Sequence, residues 1–259
     1  MSDTPIRYLR QTVLGDWGAA GQERIRQARV LLVGLGGLGG TVALYLAGAG
    51  VGTLLLNDFD RVDETNLHRQ LLFAERDVGQ LKVEAAASCL CAHNPDLTLE
   101  RLPVRLAPAA LEQAVRSVDL VVDASDNFET RDQVNRTCHR LGRPLVSGAC
   151  IRYEGQFAVF DFRDPASACY TCLYPEPDVP GFFESCSVNG ISGPVAGIIG
   201  SLEAQAVLDL LLAHPSPWPG FLLRFDATHG TFRKTRLVRD PGCRTCGSGQ
   251  PESTSGPPG

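Results

Sequence analysis

Val30-Leu31-Leu32-Val33 runs directly into Gly34-Leu35-Gly36-Gly37-Leu38-Gly39, after which Thr41 to Ala49 reads as a helix of small residues. Strand, glycine turn and helix in that order open a βαβ unit, because only glycines let a tight turn bring backbone N–H groups at a helix start close to a bound phosphate. Gly50-Val51-Gly52 then turns the chain into Thr53 to Asp58, a second buried strand ending in a carboxylate. Asp58 follows Gly39 by 19 residues, near the spacing of a ribose-binding acid. A glycine turn alone does not separate ATP from NAD.

The alternation continues. Gly79 to Ala92 carries a helical pattern, Leu97 to Val104 alternates like a strand, and Pro108 to Arg116 reads as a proline-started helix. Asp119 to Asp123 is a parallel-type strand, followed by a helix over Asn127 to Leu141 and a strand over Pro144 to Gly148. Beyond Tyr153, three alternating runs (Gly155 to Phe162, Gly220 to Asp226, Gly230 to Leu237) read as antiparallel strands, with an apolar helix over Pro194 to Ala213 among them. The expected fold is α/β: a Rossmann-like, doubly wound, mostly parallel sheet extended by antiparallel strands, with its site at the carboxyl edge. Residues 1–247 are expected as one domain and 248–259, rich in Gly, Ser and Pro, as a disordered tail.

With 259 residues and 44% apolar content, the chain is long enough for one large core. No run of about 18 uncharged apolar residues occurs, and Met1-Ser2-Asp3-Thr4-Pro5 lacks a signal-peptide profile. A soluble cytoplasmic protein without membrane contact is expected. A formal charge of −5 without a Lys/Arg block argues against nucleic acid and for a protein or small-molecule partner.

Four of the nine cysteines form two C-x-x-C pairs, Cys169/Cys172 and Cys243/Cys246, with 70 residues between Cys172 and Cys243. Brought together, four thiolates complete a tetrahedral Zn²⁺ site with no open position, so a structural zinc is expected, with catalytic zinc, a disulfide or a redox role as alternatives. Cys89, Cys91, Cys138 and Cys150 sit in apolar or strand-like surroundings and read as buried, inert thiols. Cys186 lies instead in the long, polar, proline-containing segment Pro175 to Gly190, where a thiol is a candidate nucleophile or simply an exposed loop residue.

Nucleotidyl transfer needs cations around an α-phosphate and a carboxylate for Mg²⁺, whereas hydride transfer needs little positive charge. Arg69, Lys82 and Asp126 supply the first set. Asp58 to Gln70, Gly79 to Lys82, and Asp123-Ala124-Ser125-Asp126-Asn127 with Arg131, together with Arg7-Tyr8-Leu9-Arg10-Gln11, the glycine turn and both C-x-x-C pairs, resemble the MoeB/ThiF/HesA (E1-like ubiquitin-activating) adenylyltransferase family across nearly the whole chain.

That resemblance implies a homodimer that uses ATP and Mg²⁺ to adenylylate the C-terminal glycine of a ubiquitin-like sulfur-carrier protein ending in Gly-Gly. The pathway implied is molybdenum cofactor or thiamine biosynthesis, with a sulfurtransferase as a further partner. It implies that Gly34, Gly36, Gly37 and Gly39 cradle phosphate and Asp58 holds the ribose. Asn66, Arg69, Gln70 and Lys82 fall to the phosphates, Asp126 and Asn127 to magnesium and the reacting centre, and Arg10 to the neighbouring subunit's site. Cys186 resembles the loop cysteine that some relatives use for acyl or persulfide chemistry. Thr65 stands where serine is common in the family, and Asn57 where an apolar residue is usual. The rival readings are a non-catalytic scaffold that binds a ubiquitin-like partner and an NAD-dependent oxidoreductase, for which His68 is the only nearby histidine.

Overall fold

The computed structural model describes residues 6–175 and 190–247. In chain order its elements are α1 (Leu9–Thr12), α2 (Gly18–Gln27), β1 (Arg29–Val33), α3 (Gly37–Ala49), β2 (Thr53–Asn57), α4 (Lys82–His93), β3 (Thr98–Leu102), α5 (Pro108–Arg116), β4 (Leu120–Asp123), α6 (Phe128–Leu141), β5 (Leu145–Ile151), β6 (Glu154–Phe160), α7 (Tyr170–Leu173), α8 (Gly193–Leu212), β7 (Phe221–Asp226) and β8 (Thr231–Arg236). All eight strands join one sheet in the order β3-β2-β1-β4-β5-β6-β7-β8. The pairs from β3 through β5 are parallel and those from β5 through β8 antiparallel.

Residues of the central strands alternate between two cores, as the period of two requires. Val30 and Leu32 of β1 face a core shared with α3, α4 and α8, whereas Leu31 and Val33 face one shared with α5, α6 and the cysteine cluster. Each fully buried leucine contributes roughly 1.5–3 kcal/mol relative to exposure. The sheet's two edges differ: β3 is partly exposed, and every residue of β8 is exposed, with Arg233, Lys234 and Arg236 along it. Charged side chains on an edge strand oppose further strand pairing.

Several boundaries depart from the sequence reading for local reasons. The helix expected from Gly79 starts at Lys82, because Gly79 has φ +85° and makes the preceding turn. α3 starts at Gly37, inside the glycine run, four residues earlier than the small-residue pattern indicates. β5 continues past Gly148 to Ile151, and the chain then reverses into β6 through Arg152, a non-glycine residue at φ +54°. α2 was not expected at all: only Gly21, Gln22 and Ile25 of its ten residues are buried, too few for an apolar stripe. α8 is long and apolar enough, by length and composition, to cross a membrane, yet 61% of that window is buried within the protein. It packs on α3 and β5 as a core helix. Of the cysteines read as inert, Cys138 and Cys150 are buried and Cys89 half-buried, but Cys91 is exposed on α4. The tail 248–259 and Cys186 lie outside the described residues.

Candidate active site

A cleft of about 580 Å³ opens at the carboxyl edge of the parallel strands, where β1, β2 and β4 end. Gly34 takes φ +89°, and a Cβ there would meet the Ala124 carbonyl oxygen at 2.8 Å. At Gly39 a Cβ would lie 1.9 Å from the Gly34 carbonyl oxygen, so only glycine allows this turn to close. Gly36 is the N-cap of α3, and a Cβ on it would meet only Gln70 Nε2, at 3.7 Å, leaving the backbone open toward the cleft. Gly34, Gly36 and Gly37 line the cleft; Gly39 does not, and its part is to let α3 approach the turn. The start of α3 thus offers N–H groups without intrahelical partners and the positive end of a helix dipole.

Asp58 follows β2 and is 8% exposed. Its Oδ2 accepts from the Leu35 N–H at 2.8 Å and its Oδ1 from the Asp60 N–H at 2.9 Å. Lys82, the first residue of α4, is 6% exposed, and its Nζ lies 3.0 Å from Asp60 Oδ2 and 3.9 Å from Asp58 Oδ2. Burial raises the Asp58 carboxyl above its usual value, against the opposing pull of Lys82 and the two N–H donors. Asp60 was not singled out in the sequence, although the Asp-x-Asp spacing places it two residues from Asp58.

The third wall is the turn from Asp63 to Gln70. Asn66 Oδ1 accepts from Gln70 Nε2 at 2.7 Å and from Arg69 Nη2 at 3.4 Å, while Arg69 Nη1 donates to the Thr65 carbonyl at 3.0 Å. Gln70 is 4% exposed, and among the described residues its Oε1 has no hydrogen-bond donor. A buried acceptor without a donor at a cleft wall fits a bound hydroxyl or water. His68 is exposed and does not line the cleft; its Nε2 rests 3.0 Å from Arg69 Nη1.

On the far side, Asp126 lies exposed between β4 and α6, and among the described residues its carboxylate enters no ion pair. Asn127 lines the cleft too, but its Oδ1 caps α6 by accepting from the Thr130 N–H at 2.9 Å. A buried ionic assembly holds this loop from beneath. Asp123 Oδ1 accepts from Ser125 Oγ at 2.6 Å, and Arg131 Nη2 donates to the carbonyls of Ser125 and, at 2.8 Å, Gly148. Burial alone would lower the Arg131 pKa, but the negative charge of Asp123 leads the opposing effects that raise it. Glu203 of α8, fully buried and with neither carboxyl oxygen hydrogen-bonded among the described residues, completes the assembly; burial pushes its pKa up to about 8 despite Arg131. Nothing in the sequence marked Asp123, Arg131 or Glu203 for this role.

Arg10 is not brought to the cleft of its own chain. It lies exposed on α1, whose neighbours tie that segment to the other ends of the helices: Gln11 Nε2 donates to Ala49 O at 2.7 Å and Arg7 Nη1 to His93 O at 2.6 Å. The thirteen residues of α3 separate that end from the glycine turn by about 18 Å, well beyond an arginine's reach.

The four cysteines of the C-x-x-C pairs converge behind the cleft wall: none of them lines the cleft, although Tyr170, between Cys169 and Cys172, does. Their sulfurs lie within 4.8 Å of one another, with Cys169 at 3.9 Å from Cys172 and 3.6 Å from Cys243, and Cys172 at 3.3 Å from Cys246. Tetrahedral Zn–S bonds of about 2.3 Å imply sulfur separations near 3.8 Å, which these distances bracket. Backbone N–H groups of Asp240 and Thr245 point at Cys172 and Cys243 sulfur, each at 3.4 Å, a second shell suited to thiolates.

A family model described as the ThiF family matches residues 8–245. The chain is 44% identical over 244 residues to a sulfur carrier protein adenylyltransferase of Thermus thermophilus, covering 93% of this chain and 90% of that one. It is 42% identical over 244 residues to a molybdopterin-synthase adenylyltransferase of Salmonella typhimurium, covering 93% and 96% respectively. A crystal structure of Escherichia coli MccB with ATP superposes with a TM-score of 0.80 over 94% of this chain and 75% of that one, at 23% identity, which establishes the shared fold.

Proposed function

Because this chain belongs to the ThiF family, we propose that it adenylylates the C-terminal glycine of a ubiquitin-like sulfur-carrier protein ending in Gly-Gly. A carrier carboxylate oxygen attacks the α-phosphorus of ATP, the bond to the β-phosphate oxygen breaks, and pyrophosphate leaves an acyl-adenylate. The carboxylate is already ionised, so no general base is required. The observation that supports this reading is that Lys82, Arg69 and Asp126 line one cleft together with Gly34, Gly36 and Gly37 of the glycine turn.

In that cleft Gly34, Gly36 and Gly37 present the helix start to the phosphates and Asp58 takes the ribose. Lys82, Asn66, Arg69 and Gln70 line the phosphate path. Asp126, with Asn127 beside it, would hold Mg²⁺, which supplies positive charge to the α- and β-phosphates. Cation positioning then accounts for most of the rate enhancement, since both reactants are anionic. Cys169, Cys172, Cys243 and Cys246 would hold one structural zinc. Arg10 reaches the partner subunit's cleft in a homodimer, a reading supported by its distance from its own. Molybdenum cofactor or thiamine biosynthesis, a sulfurtransferase partner and a cytoplasmic location complete the proposal. Cys186 serves at most a later sulfur-transfer step.

Incubation with MgATP and a Gly-Gly carrier should release pyrophosphate, and labelled pyrophosphate should exchange into ATP. Removing the carrier's last glycine should stop both. Release that ignores the carrier's tail would refute the substrate, and exchange of hydride with NAD would revive the oxidoreductase reading, which the position of His68 disfavours.

A further inference from the structure

The cleft has an apolar lobe between α5 and α6, lined by Val33, Leu106, Leu111, Phe128 and Val134. Its walls come from the end of β1 (Val33), the segment from β3 into α5 (Leu106, Leu111) and α6 (Phe128, Val134), whereas Ala196 stands against Gly37 at the helix start and Ile151 and Ile191 lie beyond β4. A nucleotide with its phosphates at the glycine turn and its ribose at Asp58 directs its base into the first lobe.

Arg105 stands at the mouth of that lobe. Its guanidinium sits 5.1 Å from the centre of the Phe59 ring, one residue past Asp58. It also approaches Glu129, in the first turn of α6, at 3.5 Å, so one side chain bridges both lips of the lobe. The backbone that carries it is fixed: Asn57 Nδ2 donates to the carbonyls of Leu102 and Val104, each at 2.8 Å. Exposed ion pairs add little to stability, and the Arg105 and Glu129 side chains are 61% and 84% exposed. The bridge is therefore not explained by folding. Its site at a nucleotide cleft suits a cation, because guanidinium planes stack favourably on aromatic faces.

We infer that Arg105 is a positioning residue that closes over the purine of the bound nucleotide, held in place by Phe59 and Glu129. The inference rests on the nucleotide-cleft reading above. Arg105 meets the base and not the phosphates, so its loss weakens nucleoside binding without slowing phosphorus chemistry.

The test titrates adenosine and inorganic tripolyphosphate separately by calorimetry, and measures carrier-dependent pyrophosphate exchange. Arg105→Ala should weaken adenosine binding and raise the KM for ATP by about tenfold, the scale of a desolvated cation–aromatic contact. Tripolyphosphate affinity and kcat should stay within about twofold, and Arg105→Lys should recover part of the adenosine loss. Equal weakening of tripolyphosphate would make Arg105 a phosphate ligand and overturn the proposal, as would unchanged adenosine binding or a wild type that binds no adenosine. A wild type inactive in exchange would sink the adenylation reading while the adenosine titration still decided Arg105.

Discussion

A β-carbon on Gly148 would stand 2.3 Å from Oε1 of Glu203, so β5 carries a glycine in mid-strand because a carboxyl group of α8 fills the space. Gly148 returns its carbonyl to Arg131, which in turn holds Ser125 beside Asp126. Gly148→Ala should displace Glu203 and cost about 1–3 kcal/mol, as overpacking does. Chemical denaturation measures it.

Glu203 also sets a pH dependence. Its folded pKa of about 8 lies above the ordinary 4.5, so the folded state keeps a proton that the unfolded chain releases. This contribution is fully present below about pH 4.5 and is lost as pH rises toward 8. Glu203→Gln removes that titration and leaves a constant offset. The variant should therefore gain on the wild type by at most about 1.4 kcal/mol per pH unit between pH 5 and 8. Urea midpoints at three pH values would show it; parallel pH profiles would mean that Glu203 ionises normally.

Lys82→Met leaves Asp58 and Asp60 facing each other without their cation, and Asp126→Asn removes the proposed magnesium carboxylate. Each should lower carrier-dependent pyrophosphate exchange by roughly 10²–10³-fold, the scale of losing one preorganised electrostatic group. Thermal melting distinguishes the two. Asp126 is exposed and its variant should melt like wild type, whereas Lys82 is buried and its variant should melt earlier.

Metal analysis should give about one zinc per chain. Cys169→Ser should lower the melting temperature before it changes the KM for ATP, because a closed site contributes folding energy and none of its ligands lines the cleft. A metal-free preparation that melts at the wild-type temperature would contradict a structural zinc.

Arg10→Ala and Asp126→Ala homodimers should both be nearly inactive. Refolded together in equal amounts, half of the dimers are mixed, and each mixed dimer has one site with both residues intact. About a quarter of wild-type sites should return, by the pairing arithmetic of a two-fold dimer. No recovery, with mixed dimers verified by two tags, would reject the sharing of Arg10 between subunits and leave adenylation standing.

The parallel strands and the glycine turn were legible because their signals are local: a buried strand must be apolar, and Gly34 and Gly39 admit no side chain. Both C-x-x-C pairs were legible for the same reason. What escaped was set by partners distant in sequence. Gly148 reads as the end of a strand until Glu203, 55 residues later, explains it. Asp60 becomes notable only beside Lys82, and Asn57, conspicuous in the sequence as a polar residue at an apolar position, gains its reason only when its amide is seen holding the loop that carries Arg105.

The convergence of the cysteines also imposes an order on synthesis. The chain grows from its N-terminus, and the last two sulfur ligands, Cys243 and Cys246, emerge from the ribosome after every other described element has been made. All cleft residues from Gly34 to Arg131 precede even Cys169. The lining continues, however, through Gln156 of β6, Tyr170 of α7 and Ala196 of α8 to Arg224 of β7, so the cleft is complete only once most of the antiparallel half has been translated, and the four-sulfur cluster can close only after that. A chain truncated just before Cys243 would keep every described cleft residue yet lack the clasp that joins its end to its middle.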